Sequence, residues 1–265
     1  MPMDRRIALV VNDDGIESEG LRVMAKVSAT LWDTYIVAPK EERSGVGKAI
    51  TLGAIAVEEC EVLSGVQSYA IGGTPADAVL LGMDYLLPRD PDIVLSGINL
   101  GPNLGIEDYL DSGTLGAALE ASIHGIPSVA ASLCISKSDK LKGEYDLQRA
   151  ELLLRALFRV MDSENHLAQG QIVAVNIPHP VFLGVSPCSI SPRAMRKVHD
   201  KVGEGYAMKS WEMSLYGEGE PGTDIHAVVR ERKASICVTT LELKSRYDLA
   251  SSLSERLKLE ASDKP

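Results

Sequence analysis

Short apolar runs alternate with amphipathic stretches through residue 178. Ile7 to Val11 is a continuous apolar run, rich in β-branched residues and closed by the turn signal Asn12-Asp13-Asp14-Gly15; it predicts a buried strand over roughly 6–12. Ser18 stands where it would cap a helix carrying Leu21, Met24, Ala25 and Leu31. A second strand is predicted over 35–38, stopped by Pro39, and the segment 40–51 is polar, glycine-containing and without period. A β-rich patch spans 53–71. Thr74-Pro75-Ala76-Asp77 then reads as a helix start, with Thr as cap, Pro in the first turn and Asp three residues on. Ile93-Val94-Leu95 predicts a third buried strand, followed by a long Gly/Asn/Asp loop over 97–113. A helix over 114–124 ends at Gly125. A strand over 127–133, a helix with apolar residues at 147, 150, 153, 154, 157 and 161, and a strand over 172–175 complete the alternation. Such a pattern implies an α/β fold with a mostly parallel sheet and helices on both faces.

Beyond Pro178 the character changes. Prolines at 178, 180, 187 and 192 break the chain, and short alternating segments over 206–216 and 225–240 predict an antiparallel excursion. Leu249, Leu253 and Leu257 put an apolar stripe on a terminal helix, which must dock on its own domain or on a partner. The chain divides at these points into a core over 1–178, an antiparallel extension that returns to the core over 179–240, and a helical tail over 241–265. It has no internal repeat and no low-complexity tract.

Composition narrows the function. The two Phe and two Trp leave the core to Val, Ile, Leu and Ala. With 27 basic against 37 acidic residues the net charge is −10, which argues against duplex nucleic acid or a membrane surface as partner. A small anionic substrate stays open, because a bound cation reverses the sign locally. Cys60, Cys134, Cys188 and Cys237 are far apart and form no CxxC, so metal knuckles and a redox pair are not expected. The five-residue apolar run after the N-terminus is too short for a signal segment, and no stretch is long enough to span a membrane. A cytoplasmic setting fits these features.

The chemistry concentrates at the predicted carboxyl ends of the strands, where open parallel sheets bind ligands. Extended Asp13 and Asp14 would point to opposite faces, but a turn at Gly15 can bring both carboxylates to one side. Two such anions are costly to desolvate together unless a cation sits between them. Read alone, the segment is equally a turn with helix-capping aspartates. The Ser44 hydroxyl and the Asn99 amide oxygen add hard oxygen donors, and the set Asp13, Asp14, Ser44 and Asn99 suits Mg²⁺ or Mn²⁺ rather than zinc. Singly, Ser44 is an ordinary loop hydroxyl and Asn99 a turn former; their convergence is what gives them weight. Ser112-Gly113-Thr114 opens a helix, where free N–H groups and the dipole suit a phosphate; a plain N-cap is the alternative. Lys48 and Arg43 stand where they would offset substrate charge; ordinary surface cations are the alternative.

Competing motifs fail. Gly47-Lys48 has Glu42 where a P-loop needs Gly, and Ala49 where it needs Ser or Thr. Gly45-Val46-Gly47 continues to Ile50, not glycine, so there is no dinucleotide fingerprint. No G-x-S-x-G surrounds a serine. The five histidines form no HExxH or HxH.

Taken in order, several segments carry a resemblance. These are Asn12-Asp13-Asp14-Gly15, Val37-Ala38-Pro39 with Arg43-Ser44-Gly45, Gly73-Thr74-Pro75, Ser96-Gly97-Ile98-Asn99 with Gly101-Pro102-Asn103, and Ser112-Gly113-Thr114. The chain resembles the SurE survival-protein nucleotidases, closely to about residue 135 and more loosely through Asn176-Ile177-Pro178 and Gly222-Thr223-Asp224. The resemblance implies a Rossmann-like fold with a projecting β-hairpin and a C-terminal helix often exchanged between subunits. It implies a divalent metal, Mg²⁺ or Mn²⁺, on Asp13, Asp14, Ser44 and Asn99. It implies catalysis by Asp13, Asp14, Asn99 and Ser112, and substrate phosphate held by Asn12, Gly45, Asn103, Ser112, Gly113 and Thr114. The activity implied is hydrolysis of nucleoside 5′- and 3′-monophosphates by a homodimer or homotetramer; a non-catalytic nucleotide-binding regulator of the same fold is the alternative. The family's usual Tyr before Ser-Gly-Thr is Asp111 here.

Overall fold

Strand β1 (Ile7–Val11) divides its side chains between two cores. Ala8 and Val10 face one cluster with helix α1 (Glu19–Ser28), whereas Ile7, Leu9 and Val11 face another with helix α2 (Pro75–Leu81) and helix α4 (Gly113–Ile123). This is the period-two alternation of a strand buried on both faces, and it explains why the run is continuously apolar. The computed structural model describes residues 5–163, 168–193, 198–208, 213–242 and, further on, 247, 248, 250, 251, 253 and 254.

The remaining strands are β2 (Asp33–Pro39), β3 (Val57–Cys60), β4 (Gln67–Ile71), β5 (Ile93–Leu100), β6 (Ser128–Cys134), β7 (Gln171–Pro178), β8 (Val185–Pro187), β9 (His199–Val202), β10 (Gly205–Met208) and β11 (Ala234–Thr240). Eight of them join β1 in one nine-stranded sheet in the order β3-β4-β2-β1-β5-β6-β7-β11-β8. From β4 across to β7 every pair is parallel, while β3 and β11 run antiparallel to β4 and β7. The α/β fold with a mostly parallel sheet is thus as the pattern predicts. Helix α6 (Gln148–Ser163) covers the α1 face, where the Trp32 and Phe158 rings meet in a tilted contact with centroids 5.3 Å apart. At α2 the predicted start is a full capping box: Thr74 Oγ1 accepts from Asp77 N, and Asp77 Oδ2 accepts from Thr74 N at 2.8 Å.

Two predicted segments differ. The loop over 97–113 instead continues β5 to Leu100 and then forms helix α3 (Gly105–Asp111). The N–H groups of this short helix are satisfied by carboxylates: Leu104 N donates to Asp108 at 2.9 Å, and Gly105 N to the distant Asp224 at 2.8 Å. The segment 225–240 begins not as strand but as helix α7 (Asp224–Val229), capped by Thr223. Its strand β11 then returns to the main sheet, antiparallel to β7. The excursion proper is the two-stranded pair β9–β10, exposed along its whole length. Of the terminal leucine stripe, Leu249 and Leu257 lie outside the described residues; Leu253 is helical and exposed. Among the described residues no helix is long and apolar enough to cross a membrane.

Asp108 makes stability depend on pH. Its carboxyl is buried, and desolvation pushes it up to about 6 from 3.8, against the hydrogen bonds from Tyr216 Oη and Leu104 N. The folded chain then binds this proton more tightly than the unfolded chain. The stabilisation is fully present below the unfolded value of 3.8 and is lost as pH rises through about 6. It amounts to about 3 kcal/mol. Asp108→Asn is expected to flatten this slope, as thermal melts at pH 4.5 and 7.5 would report; an unchanged slope would locate the titration elsewhere.

Candidate active site

After β1 the chain lays β2 and β4 on one side, and then places β5, β6 and β7 on the other. The strand order therefore reverses at the β1–β5 pair, and in open parallel sheets ligands bind beyond the carboxyl ends of the strands at such a reversal. Asn12, Asp13 and Asp14 leave β1 there, and Asn99 stands next to the last residue of β5 there, just after a register shift between Ser96 and Asn99.

Asp13 is turned toward helix α4. Its Oδ1 accepts from Thr114 Oγ1 at 2.6 Å, and its main-chain carbonyl accepts from Arg43 N at 2.7 Å. The side chain is buried; desolvation, and then the neighbouring Asp14 carboxylate, push its pKa up to about 6. Asp14 faces the other way. Its Oδ2 accepts from Leu100 N at 3.0 Å, and its Oδ1 accepts from the Lys140 ammonium at 2.5 Å, with the side chain only 6% exposed. Asn12 closes the turn between them by donating from Nδ2 to Gly15 O at 2.9 Å. Gly15 takes φ +98°, which a residue with a Cβ rarely adopts.

The other predicted residues are held in different ways. Asn99 donates from Nδ2 to Gly101 O at 2.8 Å, one residue before the N–H that holds Asp14. Ser44 is exposed and donates to Glu42 Oε1 at 2.6 Å; Lys140 reaches that same oxygen at 3.4 Å. Ser44 is thereby joined to Asp14 through Glu42 and Lys140. Ser112 caps α4 by accepting from Leu115 N at 3.3 Å, and Gly113 and Thr114 form the first turn against Asp13. A Cβ built on Gly113 would lie 2.7 Å from the Asp13 Cβ, so only glycine lets α4 start this close to the carboxylate. Gly45 has open space around it and a φ of +70°. Asn103 is clamped by Asn176, which accepts from its N–H at 2.9 Å and donates to its carbonyl at 2.8 Å, while its own Nδ2 donates to Ser132.

Lys48 corrects the expectation that it offsets substrate charge. Its ammonium pairs with the buried Glu120 of α4, which His124 also approaches at 3.2 Å, so it anchors the 40–51 segment to that helix. Arg43 keeps a buried Nε with no hydrogen-bond partner among the described residues. Lys140 and Asn176 were not singled out as site residues from sequence. Asn176 lies close to the carboxyl end of β7, parallel to β6, which is the signal that could have found it. Lys140 stands in helix α5 (Lys137–Lys142), a polar run with no distinguishing pattern.

The donor chemistry fits a hard divalent cation. Two adjacent carboxylates are held in a desolvated setting, and one is raised by the charge of the other. The Asn99 Oδ1 accepts no hydrogen bond among the described residues. The Ser44 hydroxyl gives its proton to Glu42, leaving oxygen lone pairs for a cation. Among the described residues no group of three or more His, Cys, Asp and Glu is arranged to hold a metal, so a site here must draw on hydroxyl and amide oxygens as well.

The family described as "Survival protein SurE" matches residues 8–199. A protein of Methanosarcina mazei named 5′-nucleotidase SurE is 32% identical over 258 residues, covering 91% of this chain and 94% of its own length. Proteins of the same name from Paramagnetospirillum magneticum and Methanothermobacter thermautotrophicus are 36% identical over 262 residues and 40% over 202; they cover 94% and 73% of this chain, and 94% and 76% of their own lengths. The crystal structure of the SurE protein from Aquifex aeolicus superposes with a TM-score of 0.74 at 29% identity, covering 94% of this chain and 98% of that one.

Proposed function

The chain belongs to the survival protein SurE family, and on that premise we propose that it is a metal-dependent phosphomonoesterase releasing phosphate from nucleoside 5′- and 3′-monophosphates. The observation that carries this reading is that, at the strand-order reversal, the desolvated Asp13 meets the opening turn of α4 through the Thr114 hydroxyl while the adjacent Asp14 is held against the end of β5 by Leu100 N. Relatives along most of the chain bear the name 5′-nucleotidase, which supports the substrate class.

Asp13, Asp14, Ser44 and Asn99 are the residues that would hold Mg²⁺ or Mn²⁺. Bound there, the ion supplies Lewis-acid polarisation of a phosphoryl oxygen and orientation of the attacking water. The chain's own residues do the rest. The first N–H groups of α4, at Gly113 and Thr114, receive the phosphate oxygens, aided by the helix dipole. Ser112 fixes the start of that helix and offers its hydroxyl beside the phosphate. Asn103, clamped by Asn176, lines the same edge, and Arg43 contributes a cation through its unpaired Nε. Asn12 and Gly45 shape the two loops that frame the substrate. We further propose that the chain works in the cytoplasm and assembles as a homodimer or homotetramer, whose mass light scattering would report.

Phosphate release from AMP and from 3′-AMP is expected with Mn²⁺ or Mg²⁺, to be abolished by EDTA and restored by excess metal. AMP bound but never cleaved under any divalent ion would favour the regulatory alternative instead.

A further inference from the structure

Lys140 is the cation closest to the proposed metal ligands, and it comes from outside every motif that suggests the site. Its ammonium lies 2.5 Å from Asp14 Oδ1 and 3.4 Å from Glu42 Oε1. Glu42 Oε1 is also the acceptor of the Ser44 hydroxyl. One lysine thus ties together Asp14 directly and Ser44 through Glu42, which are two of the four proposed ligands. The lysine side chain is 24% exposed and the Asp14 side chain 6%, so the pair is largely withdrawn from water. An ammonium is a compact point charge on a flexible stem, suited to neutralise a carboxylate and to leave again.

We propose that Lys140 is a tethered counter-cation, which neutralises Asp14 when no metal is bound and is displaced when a divalent ion takes that carboxylate. This rests on the reading that Asp13 and Asp14 hold a metal. The physical reason is that two adjacent desolvated carboxylates need positive charge nearby in either state. A resident lysine supplies it without a ligand, but it competes with the ion for the same oxygen. It therefore keeps the carboxylate pair tolerable in the metal-free chain at a cost in metal affinity. Linkage requires both effects to change together: a group that stabilises only the metal-free form must weaken binding by the same factor.

The test uses full-length protein, stripped with EDTA and dialysed, with Mn²⁺ as probe. Calorimetric titration gives the Kd, and thermal melts give the midpoints with and without saturating Mn²⁺. Lys140→Met and Lys140→Gln are both expected to bind Mn²⁺ about tenfold more tightly than the parent. Both should melt lower than the parent without metal, and the gap should close at saturation. Lys140→Arg should stay close to the parent. Lys142→Met, which removes an exposed lysine 3.8 Å from Glu144, should change neither quantity. A Kd unchanged within twofold in the two neutral variants, or a weaker one, overturns the displacement. Should one neutral variant fail to fold, the other decides. Failure of the parent itself to bind Mn²⁺ at a site that Asp14→Asn removes would sink the metal-site reading, and the proposal with it. A parent that binds normally beside insensitive Lys140 variants sinks the proposal alone.

Discussion

Asp13→Asn is expected to lower metal-dependent phosphate release by about 10²-fold or more while leaving the thermal midpoint unchanged or raised. Asn keeps the shape of the side chain, and its Oδ1 can still accept from the Thr114 hydroxyl that now meets Asp13 Oδ1 at 2.6 Å. What it removes is the charge. In the folded chain that charge is unfavourable, because desolvation and Asp14 push the carboxyl up to about 6. Asp14→Asn should lose a similar amount of activity, but its stability should move the other way. One Asn oxygen can still serve Leu100 N, but the amide NH₂ would then face the Lys140 ammonium. The pair of variants thus separates charge needed for chemistry from charge needed for folding. Steady-state rates across a Mn²⁺ titration, with melting curves alongside, make the measurement. Parental activity in both variants at limiting metal would show that these carboxylates do not carry the reaction.

Much of the frame was legible because its signals are local. The run from Ile7 to Val11 reads as a buried strand from its apolar continuity, its β-branched residues and the turn signal that closes it. The caps at Ser18 and Thr74 act within three residues, so the sequence displays both partners of each bond. Helix α3 was not legible, because the acceptors for its first N–H groups include Asp224, more than a hundred residues away, and its own composition resembles a loop. The same limit hid Lys140, whose partners Asp14 and Glu42 lie far back in the chain. It also reversed the expectation for Lys48, whose partner Glu120 reads simply as a helix residue until the loop packs on α4. The candidate site is read from the types of residue at the strand ends. Geometry adds how the two carboxylates differ: Asp13 faces the first turn of α4, and Asp14 faces the Lys140 ammonium.

Gly113→Ala is the second large effect expected, and the structure changes the reason for it. On sequence grounds a Cβ at 113 would obstruct the approach of phosphate to the backbone. In the fold the Cβ would meet Asp13 first, 2.7 Å from its Cβ, 3.2 Å from Cγ and 3.0 Å from Oδ2. The Asp13 Cβ is fixed by the end of β1 and cannot rotate away, so either the carboxylate or the first turn of α4 must shift. Either movement breaks the register between Asp13, Thr114 and the N–H groups that would hold phosphate. A misplacement of about 1 Å at a reacting centre costs about 10²-fold in rate, and kcat/KM for AMP should fall by that order. Overpacking one methyl costs about 1–3 kcal/mol, which in a chain of this size lowers the melting midpoint by a few degrees, leaving the protein folded at assay temperature. Gly53→Ala, which meets nothing within 4 Å and has no left-handed φ, is the matched control and should change neither rate nor midpoint. A Gly113→Ala enzyme with undiminished kcat/KM would mean that phosphate and Asp13 do not meet at the start of α4.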